Sequence, residues 1–254
     1  MKTAAFFALM GISVLFAQTS AQAEVPKAIS AAVADTSRPE ADRTRDANRK
    51  PDETLAFTGV KAGYIVADYA AGSGYFTRLF SAIVQPGGHV YAVVPSPLFQ
   101  YQNIVKGIAA IEDFGRTHPN VTVTSAESLA ATRFPEKLDL FWISQNYHDL
   151  HDSFMGPVDM AAFNKAVYDA LKPGGVYVVL DHSAAPGAPA DVTDSLHRIE
   201  QSVVRREVEA AGFKFDGESK LLANPADPRT AGVFDPSIRG KTDQFLIRFR
   251  KPKD

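Results

Sequence analysis

The sequence predicts an α/β fold in which a mostly parallel sheet carries helices on both faces. Segments rich in β-branched and aromatic residues alternate with segments whose apolar residues recur at helical spacing. The strand segments are apolar at nearly every position, as expected where helices cover both faces of a sheet. Two final strand segments come one after the other with no helical pattern between them, so we expect them to pair in antiparallel fashion.

The first 23 residues have the features of a secretory signal peptide. Met1 and Lys2 give a positive start, residues 4–17 form an apolar run, and residues 21–23 (AQA) fit a small-x-small cleavage signature. The apolar run is shorter than the roughly 20 residues of a membrane-spanning helix. We therefore expect a periplasmic or secreted mature protein without a membrane span.

Composition excludes several classes of function. Lys and Arg number 27 against 29 for Asp and Glu, so the basic excess that is typical of nucleic-acid binding is missing. The chain has no cysteine, which excludes disulfides and thiolate metal sites. The expected partner is a small-molecule substrate; the oligomeric state is open.

Residues 24–51 differ in character from the remainder of the chain. They contain a mixed-charge stretch, SRPEADRTRDANRKP, and no apolar stripe. Two interpretations stay open: a solvated linker with a short surface helix, and an arm that folds over a site. We expect one domain over residues 52–254, because that length suits a single α/β unit.

The elements of this domain alternate along the chain. In order, the sequence predicts strand 64–69, helix 76–84, strand 89–94, helix 101–115, strand 121–124, strand 138–144, a helix capped by Asp159 that runs to Leu171, and strand 176–180. Glycine- and proline-containing segments, residues 86–88 (PGG) and 172–175 (KPGG), end the first and last of these helices.

The end of the chain holds the longest predicted helix and the antiparallel pair. Apolar spacing predicts a helix over 192–211, closed by Gly212, and strands over 213–221 and 243–251. The loop 222–242 between these strands is long for a simple connection. It is either a structured hairpin connection or a lid, whose cations Arg229, Arg239 and Lys241 would meet an anionic group of a substrate.

A glycine turn comes after the first strand, in DYAAGSGYFT at residues 68–77. Gly72-Ser73-Gly74 lets a ligand approach the backbone without a Cβ in the way. The helix that begins near Tyr75 directs free N–H groups at the same place. In doubly wound sheets, ligands bind at the carboxyl ends of the strands where the strand order reverses.

Over about residues 52–251, the chain resembles the class I S-adenosylmethionine-dependent methyltransferases. The resemblance rests on the order of three segments and an antiparallel end: DYAAGSGYFT, LDLFWISQNYHD and FNKAVYDALKPGGVYVVLDHS. More narrowly, LDHSAAPG, LHRIE and VFDPSIRGKTDQF look like a group of exported bacterial proteins described as predicted methyltransferases. The resemblance implies a Rossmann-like seven-stranded sheet of order 3-2-1-4-5-7-6 with the last strand antiparallel. It also implies methyl transfer with S-adenosylmethionine as cofactor.

The resemblance assigns cofactor-binding roles by position. The implied cofactor-binding residues are Asp68, Ala70, Gly72, Ser73, Gly74, Glu127 and Asn146. The family's ribose-binding acid is replaced here by Pro95 and Ser96. Ser125 stands where an adenine-binding acid is usual, and Glu127 is a possible substitute. Losing a charge-assisted hydrogen bond costs about 1.5–3 kcal/mol, so we expect weaker cofactor binding than in the family.

Polar residues come after strands four and five, in QNYHDLH and LDHS. We interpret His148, His182 and Asp149 as the catalytic candidates, because imidazole titrates near neutrality and can accept a proton from an acceptor hydroxyl or amine. A structural role for each, as helix cap or loop tie, stays open.

Three alternatives remain beside methyl transfer. A nicotinamide-binding oxidoreductase would want a small residue at Thr77 and an acid about twenty residues later, and both are missing. A divalent metal bound by imidazole and carboxylate is a second possibility, with candidates His148, Asp149, Asp181, His182 and His197, but no compact motif such as His-Glu-x-x-His is present. The third is an exported, non-catalytic binding protein on a degenerate methyltransferase fold.

Overall fold

The computed structural model describes residues 25–156 and 158–253, so the predicted signal peptide lies outside the described residues. The strands are β1 (Ile65–Tyr69), β2 (His89–Pro95), β3 (Val121–Ala126), β4 (Leu138–Ser144), β5 (Leu171–His182), β6 (Lys214–Ser219) and β7 (Gln244–Arg250). The α-helices are α1 (Lys27–Ala34), α2 (Glu40–Arg43), α3 (Asp46–Arg49), α4 (Pro51–Thr58), α5 (Tyr75–Ile83), α6 (Gln102–Thr117), α7 (Met160–Ala170), α8 (Val192–Leu196) and α9 (Gln201–Ala210).

The seven strands form one sheet in the order β3-β2-β1-β4-β5-β7-β6. β1 pairs in parallel with β2 and β4, and β7 pairs antiparallel with both β5 and β6. The predicted fold class and strand order are therefore confirmed. Since β2 and β4 lie on opposite sides of β1, the carboxyl end of β1 is the point at which the strand order reverses.

Apolar side chains on both faces of the sheet hold the helices. On one face α1, α4 and α5 pack around the fully buried Trp142, and on the other α7 and α9 pack around Phe141 and Tyr177. Alternate residues of β4 thus point to opposite helical layers. This sandwich fixes the strand ends, and the loops after those ends carry the candidate site.

The predicted helix over 192–211 is wrong, because the chain forms two helices with an interruption between them. His197 takes the left-handed conformation, with φ of 54°. After it, Ile199 donates its N–H to the carbonyl of His182, and its own carbonyl accepts from Ala184. Pairing with the extension of β5 therefore outweighs the helical periodicity, which continues in phase through both pieces.

The segment 24–51 contributes three short helices that lie against α5. Asp42 accepts a 2.6 Å hydrogen bond from the Arg78 guanidinium, and Asp46 accepts one of 2.6 Å from the Tyr75 hydroxyl. The Asp42 side chain is 2 % exposed, so this contact is part of the packed structure. α2 and α3 thereby cover the start of α5, next to the glycine turn.

Among the helices of the described residues, none combines the length and the apolar character that crossing a membrane requires.

Candidate functional site

The glycine turn uses its two glycines differently. Gly72 has φ of 54°, and a Cβ placed on it would meet only the Ala70 carbonyl oxygen, at 3.9 Å. Its outer side is therefore open to a ligand. Gly74 has φ of 82°, and a Cβ there would lie 2.9 Å from the Ile111 side chain of α6. Gly74 thus serves the close packing of α6, whereas Gly72 faces the site.

A polar cavity of about 210 Å³ lies over the turn. It is lined by Arg45, Arg49, Asp68, Ala70, Ala71, Gly72, Ser73, Tyr75, Phe76, Ser144, Gln145 and Asn146. Asp68 is buried, and Thr77 donates a 2.5 Å hydrogen bond to its carboxylate. Burial raises the pKa of Asp68 to about 7. The Ser144 hydroxyl is buried without a hydrogen-bond partner among the described residues.

Arg49 brings the opposite charge to this cavity from the N-terminal arm. Its guanidinium donates to the Gln145 side-chain oxygen at 3.1 Å and lies 4.6 Å over the Tyr75 ring. Within the described part of the chain it forms no salt bridge. Burial lowers the pKa of Arg49 to about 10, so it is still a cation at neutral pH. A carboxyl group and an unpaired guanidinium therefore face one small cavity.

A second cavity, of about 290 Å³, lies on the other side of the β1 end. Tyr69, Glu127, Leu129 and Phe163 are among its lining residues. Pro95 ends β2 in register with Ala126 of β3, so no acidic side chain stands at the end of β2. The structure places the predicted Glu127 in this cavity and the predicted Asn146 in the first one.

His148 is held by carboxylates on both ring nitrogens. Nδ1 donates to Asp181 Oδ1 at 2.8 Å, and Nε2 lies 3.2 Å from Asp149 Oδ1. Asp181 is fully buried and also accepts the His148 backbone N–H at 2.9 Å. Although burial opposes the charge of His148, the two carboxylates raise its pKa to about 10. In this state His148 is an imidazolium, which has no lone pair for a proton.

Asp149 joins this group to the first cavity and to His197. Its Oδ2 accepts a 2.6 Å hydrogen bond from Asn146, and its Oδ1 lies 3.9 Å from His197 Nδ1. Burial raises the pKa of Asp149, but hydrogen bonds from His148 and His197 outweigh it and hold the pKa well below its usual range. The site is thus continuous from the glycine turn to the break between α8 and α9.

His182 differs from His148 in charge. Its Nδ1 is hydrogen-bonded to the Thr242 hydroxyl at 2.8 Å, and its ring centroid lies 6.2 Å from that of His148. Burial lowers the pKa of His182 to about 4, so it is neutral at physiological pH. The structure therefore brings the three predicted catalytic residues together. His148 is positively charged, Asp149 is negatively charged and His182 is neutral.

The loop 222–242 contributes an aromatic side chain to the site. Phe234 is 61 % exposed, and its ring centroid lies 5.0 Å from that of His197. Of the cations predicted for a lid, Arg229 pairs with Asp243 at 2.8 Å and Arg239 lies 5.9 Å from the Phe234 ring.

Sequence reasoning missed seven residues that line the first cavity: Arg45, Arg49, Ala71, Tyr75, Phe76, Ser144 and Gln145. Ser144 and Gln145 directly precede the predicted Asn146 at the end of β4, so their position was a usable signal. The two arginines carry none, because their place depends on how the arm folds back over α5.

Comparisons with known proteins support the fold. No protein-family model matches the chain, and no curated protein sequence is significantly similar to it. Among solved structures, an S-adenosylmethionine-dependent methyltransferase from Aquifex aeolicus aligns with a TM-score of 0.54 at 17% identity, over 81% of this chain and 97% of that one. The N-methyltransferase NodS from Bradyrhizobium japonicum gives 0.54 at 13%, over 82% and 96%.

The [4+2]-cyclase SpnF aligns as well, with a TM-score of 0.55 at 16% identity over 84% of this chain and 82% of that one. The same fold thus serves a different reaction in that protein. At such identities the likeness shows the fold, and function has to be argued from the site.

Proposed function

We propose that this chain, which has the fold of the class I S-adenosylmethionine-dependent methyltransferases, transfers a methyl group from S-adenosylmethionine to a small-molecule acceptor. The observation that carries the proposal is that Asp68, Arg49 and the open Gly72 line one cavity at the point where the strand order reverses. The cofactor's amino-acid end carries an ammonium and a carboxylate. The cavity offers the Arg49 guanidinium for the carboxylate and the Asp68 carboxyl, whose ionised form an ammonium would favour, for the ammonium.

The residues present fit that end of the cofactor. The carboxylate would be held by Arg49, which has no ionic partner among the described residues, through charge-assisted hydrogen bonds. The ammonium would be held by Asp68 and by the unpartnered Ser144 hydroxyl. Gly72 lets the cofactor approach the backbone closely, because the position of its missing Cβ is open and the nearest atom, the Ala70 carbonyl oxygen, is 3.9 Å away.

The nucleoside end has to extend toward the second cavity. Small-molecule sites usually measure about 300–1,000 Å³, and each of the two cavities, at about 210 and 290 Å³, falls short of that range. A ligand that spans both would reach the aromatic and apolar surface of Tyr69 and Phe163. Two acidic residues line this cavity. Asp159 caps α7 by accepting two of its backbone N–H groups, and Glu127 would accept hydrogen bonds from the adenosine.

The acceptor would lie on the side of Asn146, His148 and His182, which stand at the ends of the neighbouring strands β4 and β5. S-adenosylmethionine supplies an electrophilic methyl group on a sulfonium, which leaves as a neutral thioether when the methyl moves to the acceptor. The chain's residues orient the two molecules and accept the acceptor's proton, for which the neutral His182 is the candidate. His148 would first have to give up its own Nε2 proton to serve in that role.

Calorimetry with S-adenosylhomocysteine and S-adenosylmethionine tests the proposal. We expect saturable binding at one site per chain, lost in Gly72→Asp because its carboxylate would fill the open side of the turn. Absence of binding by both compounds up to millimolar concentration would refute the proposal. Transfer of labelled methyl from the cofactor to a panel of small hydroxyl and amine acceptors then separates an enzyme from a binding protein.

We also propose that the protein works outside the cytoplasm, which rests on the signal-peptide pattern of residues 1–23. Amino-terminal sequencing of the protein recovered from periplasm and medium tests this. We expect a start at Glu24; an intact Met1 in the cytosolic fraction would refute export.

A further inference from the structure

We propose that His148, Asp149 and His197 bind one divalent transition-metal ion at the outer side of the candidate site. The inference rests on their geometry and stands independently of methyl transfer. The three residues come from the turn after β4 and from the break between α8 and α9, which the fold brings together. Each offers one ligand atom, and these atoms all lie within 4.8 Å of one another.

The separations suit a single ion. His148 Nε2 and Asp149 Oδ1 are 3.2 Å apart, and His197 Nδ1 and Asp149 Oδ1 are 3.9 Å apart. In a tetrahedral zinc site with bonds of about 2.0–2.1 Å, neighbouring ligand atoms lie about 3.3 Å apart. His197, whose side chain is 32 % exposed, would shift toward the other two ligand atoms to complete the arrangement.

The surrounding residues orient these ligands as they do in known metal sites. Asp181 accepts a 2.8 Å hydrogen bond from Nδ1 of His148, and this contact directs Nε2 toward Asp149. Asn146 holds the second oxygen of Asp149 at 2.6 Å. A carboxylate behind a histidine ligand, and a hydrogen bond behind a carboxylate ligand, are the usual outer contacts of protein-bound metals.

His197 occupies a backbone conformation that packing enforces. Its φ of 54° is costly for a residue with a side chain. The next residue, Arg198, is fully buried and forms a two-bond ion pair with Asp227, at 2.9 and 3.2 Å. This anchor fixes the chain on one side of His197 and so keeps its imidazole over Asp149.

The ligand set indicates the class of metal. Two imidazole nitrogens and one carboxylate oxygen favour zinc, cobalt, nickel or iron(II) over magnesium and calcium, which prefer oxygen ligands alone. Three protein ligands leave coordination positions for water or substrate, as in catalytic sites. The ion would replace the Nε2 proton of His148, which is released to solvent, so His148 would act as a ligand and not as a base. The bound ion would hold an acceptor oxygen or nitrogen beside the cofactor cavity.

Metal titration of the full chain, stripped with a chelator, tests this inference without any cofactor. We expect one equivalent of Zn²⁺ by calorimetry, and with Co²⁺ visible absorption bands of a nitrogen- and oxygen-ligated ion. His197→Gly removes one ligand at a position where glycine suits the backbone, and it should weaken Zn²⁺ binding at least about tenfold. His118→Gln removes an imidazole from the C-terminal end of α6, which is not part of the group, and should leave the affinity unchanged.

Three results would overturn the inference. They are the absence of stoichiometric Zn²⁺, Co²⁺, Ni²⁺ and Fe²⁺ binding by the wild-type chain, equal Zn²⁺ affinity in wild type and His197→Gly, and X-ray absorption spectra of the wild-type zinc protein without imidazole ligands. The last result needs no variant, so the inference stays testable if His197→Gly fails to fold. Metal binding without S-adenosylhomocysteine binding would leave this inference standing and refute the proposed function alone.

Discussion

Replacement of Gly72 by alanine separates a ligand role of the turn from a folding role. The left-handed φ of 54° costs an alanine roughly 1–2 kcal/mol. Because a Cβ on Gly72 would meet only a carbonyl oxygen, at 3.9 Å, the protein itself has room for the methyl group. The unfolding midpoint should therefore fall by about 2–8 °C for a chain of this length.

Gly72→Ala should also lower the affinity for S-adenosylhomocysteine, and by more than the loss of folding stability would explain. A methyl group inserted into a filled contact costs about 1–3 kcal/mol, which is roughly a 5- to 150-fold loss of affinity. Calorimetry measures the affinity and differential scanning calorimetry the midpoint.

Gly63→Ala is the matched control for Gly72→Ala. Gly63 has φ of 80°, and nothing lies within 4 Å of its Cβ position, so the same backbone strain arises away from the site. We expect a similar fall in midpoint and an unchanged affinity. Equal affinities in both variants would refute the reasoning that a ligand contacts the turn. Unfolding of Gly72→Ala alone would show that the open side of the turn belongs to the protein's packing.

The charges of the molecule lead to three further predictions. Arg49→Gln should weaken S-adenosylhomocysteine binding roughly 10- to 150-fold, because a charge-assisted bond contributes about 1.5–3 kcal/mol. Arg43 is exposed, so Arg43→Gln should leave the affinity unchanged. Equal calorimetric affinities of the two variants would refute the role of Arg49. The folded chain keeps the Asp68 proton up to about pH 7, whereas the unfolded chain loses it near pH 4. Wild type should therefore lose more stability than Asp68→Asn between pH 4 and pH 7 in urea unfolding, and parallel profiles would contradict the raised pKa. Asp227→Asn leaves the buried Arg198 guanidinium without its carboxylate and should lower the free energy of unfolding by about 3–5 kcal/mol. The exposed Glu209→Gln should lower it by about 0.5 kcal/mol or less. Similar urea midpoints of the two variants would refute this difference.

Local patterns were sufficient for the strand segments and for one half of the site, and the resemblance supplied the strand order. The apolar run of β1, the glycines after it and the KPGG segment before β5 each specify their structure through neighbours in the sequence. Since parallel strands end at one edge, the positions of Gly72, Asn146, His148 and His182 near each other result from strand order.

The helix boundary at His197 shows where this reasoning ends. Apolar spacing continues in phase from α8 into α9, and no glycine or proline marks the interruption. The break depends on backbone hydrogen bonds between Ile199 and the extension of β5, which are distant in sequence. Periodicity contains no information on such pairing.

By itself, the sequence determined the strand segments, the glycine turn and the polar residues at the strand ends, because these depend on local conformation, whereas the strand order was implied by the resemblance to the methyltransferases. Only the tertiary structure decided the charges at the site. Arg49 reaches the cavity through an arm that an ion pair and a hydrogen bond join to α5, and His197 reaches Asp149 through an interrupted helix. Both depend on contacts between distant segments, and the same burial sets the protonation states of Asp68 and His182.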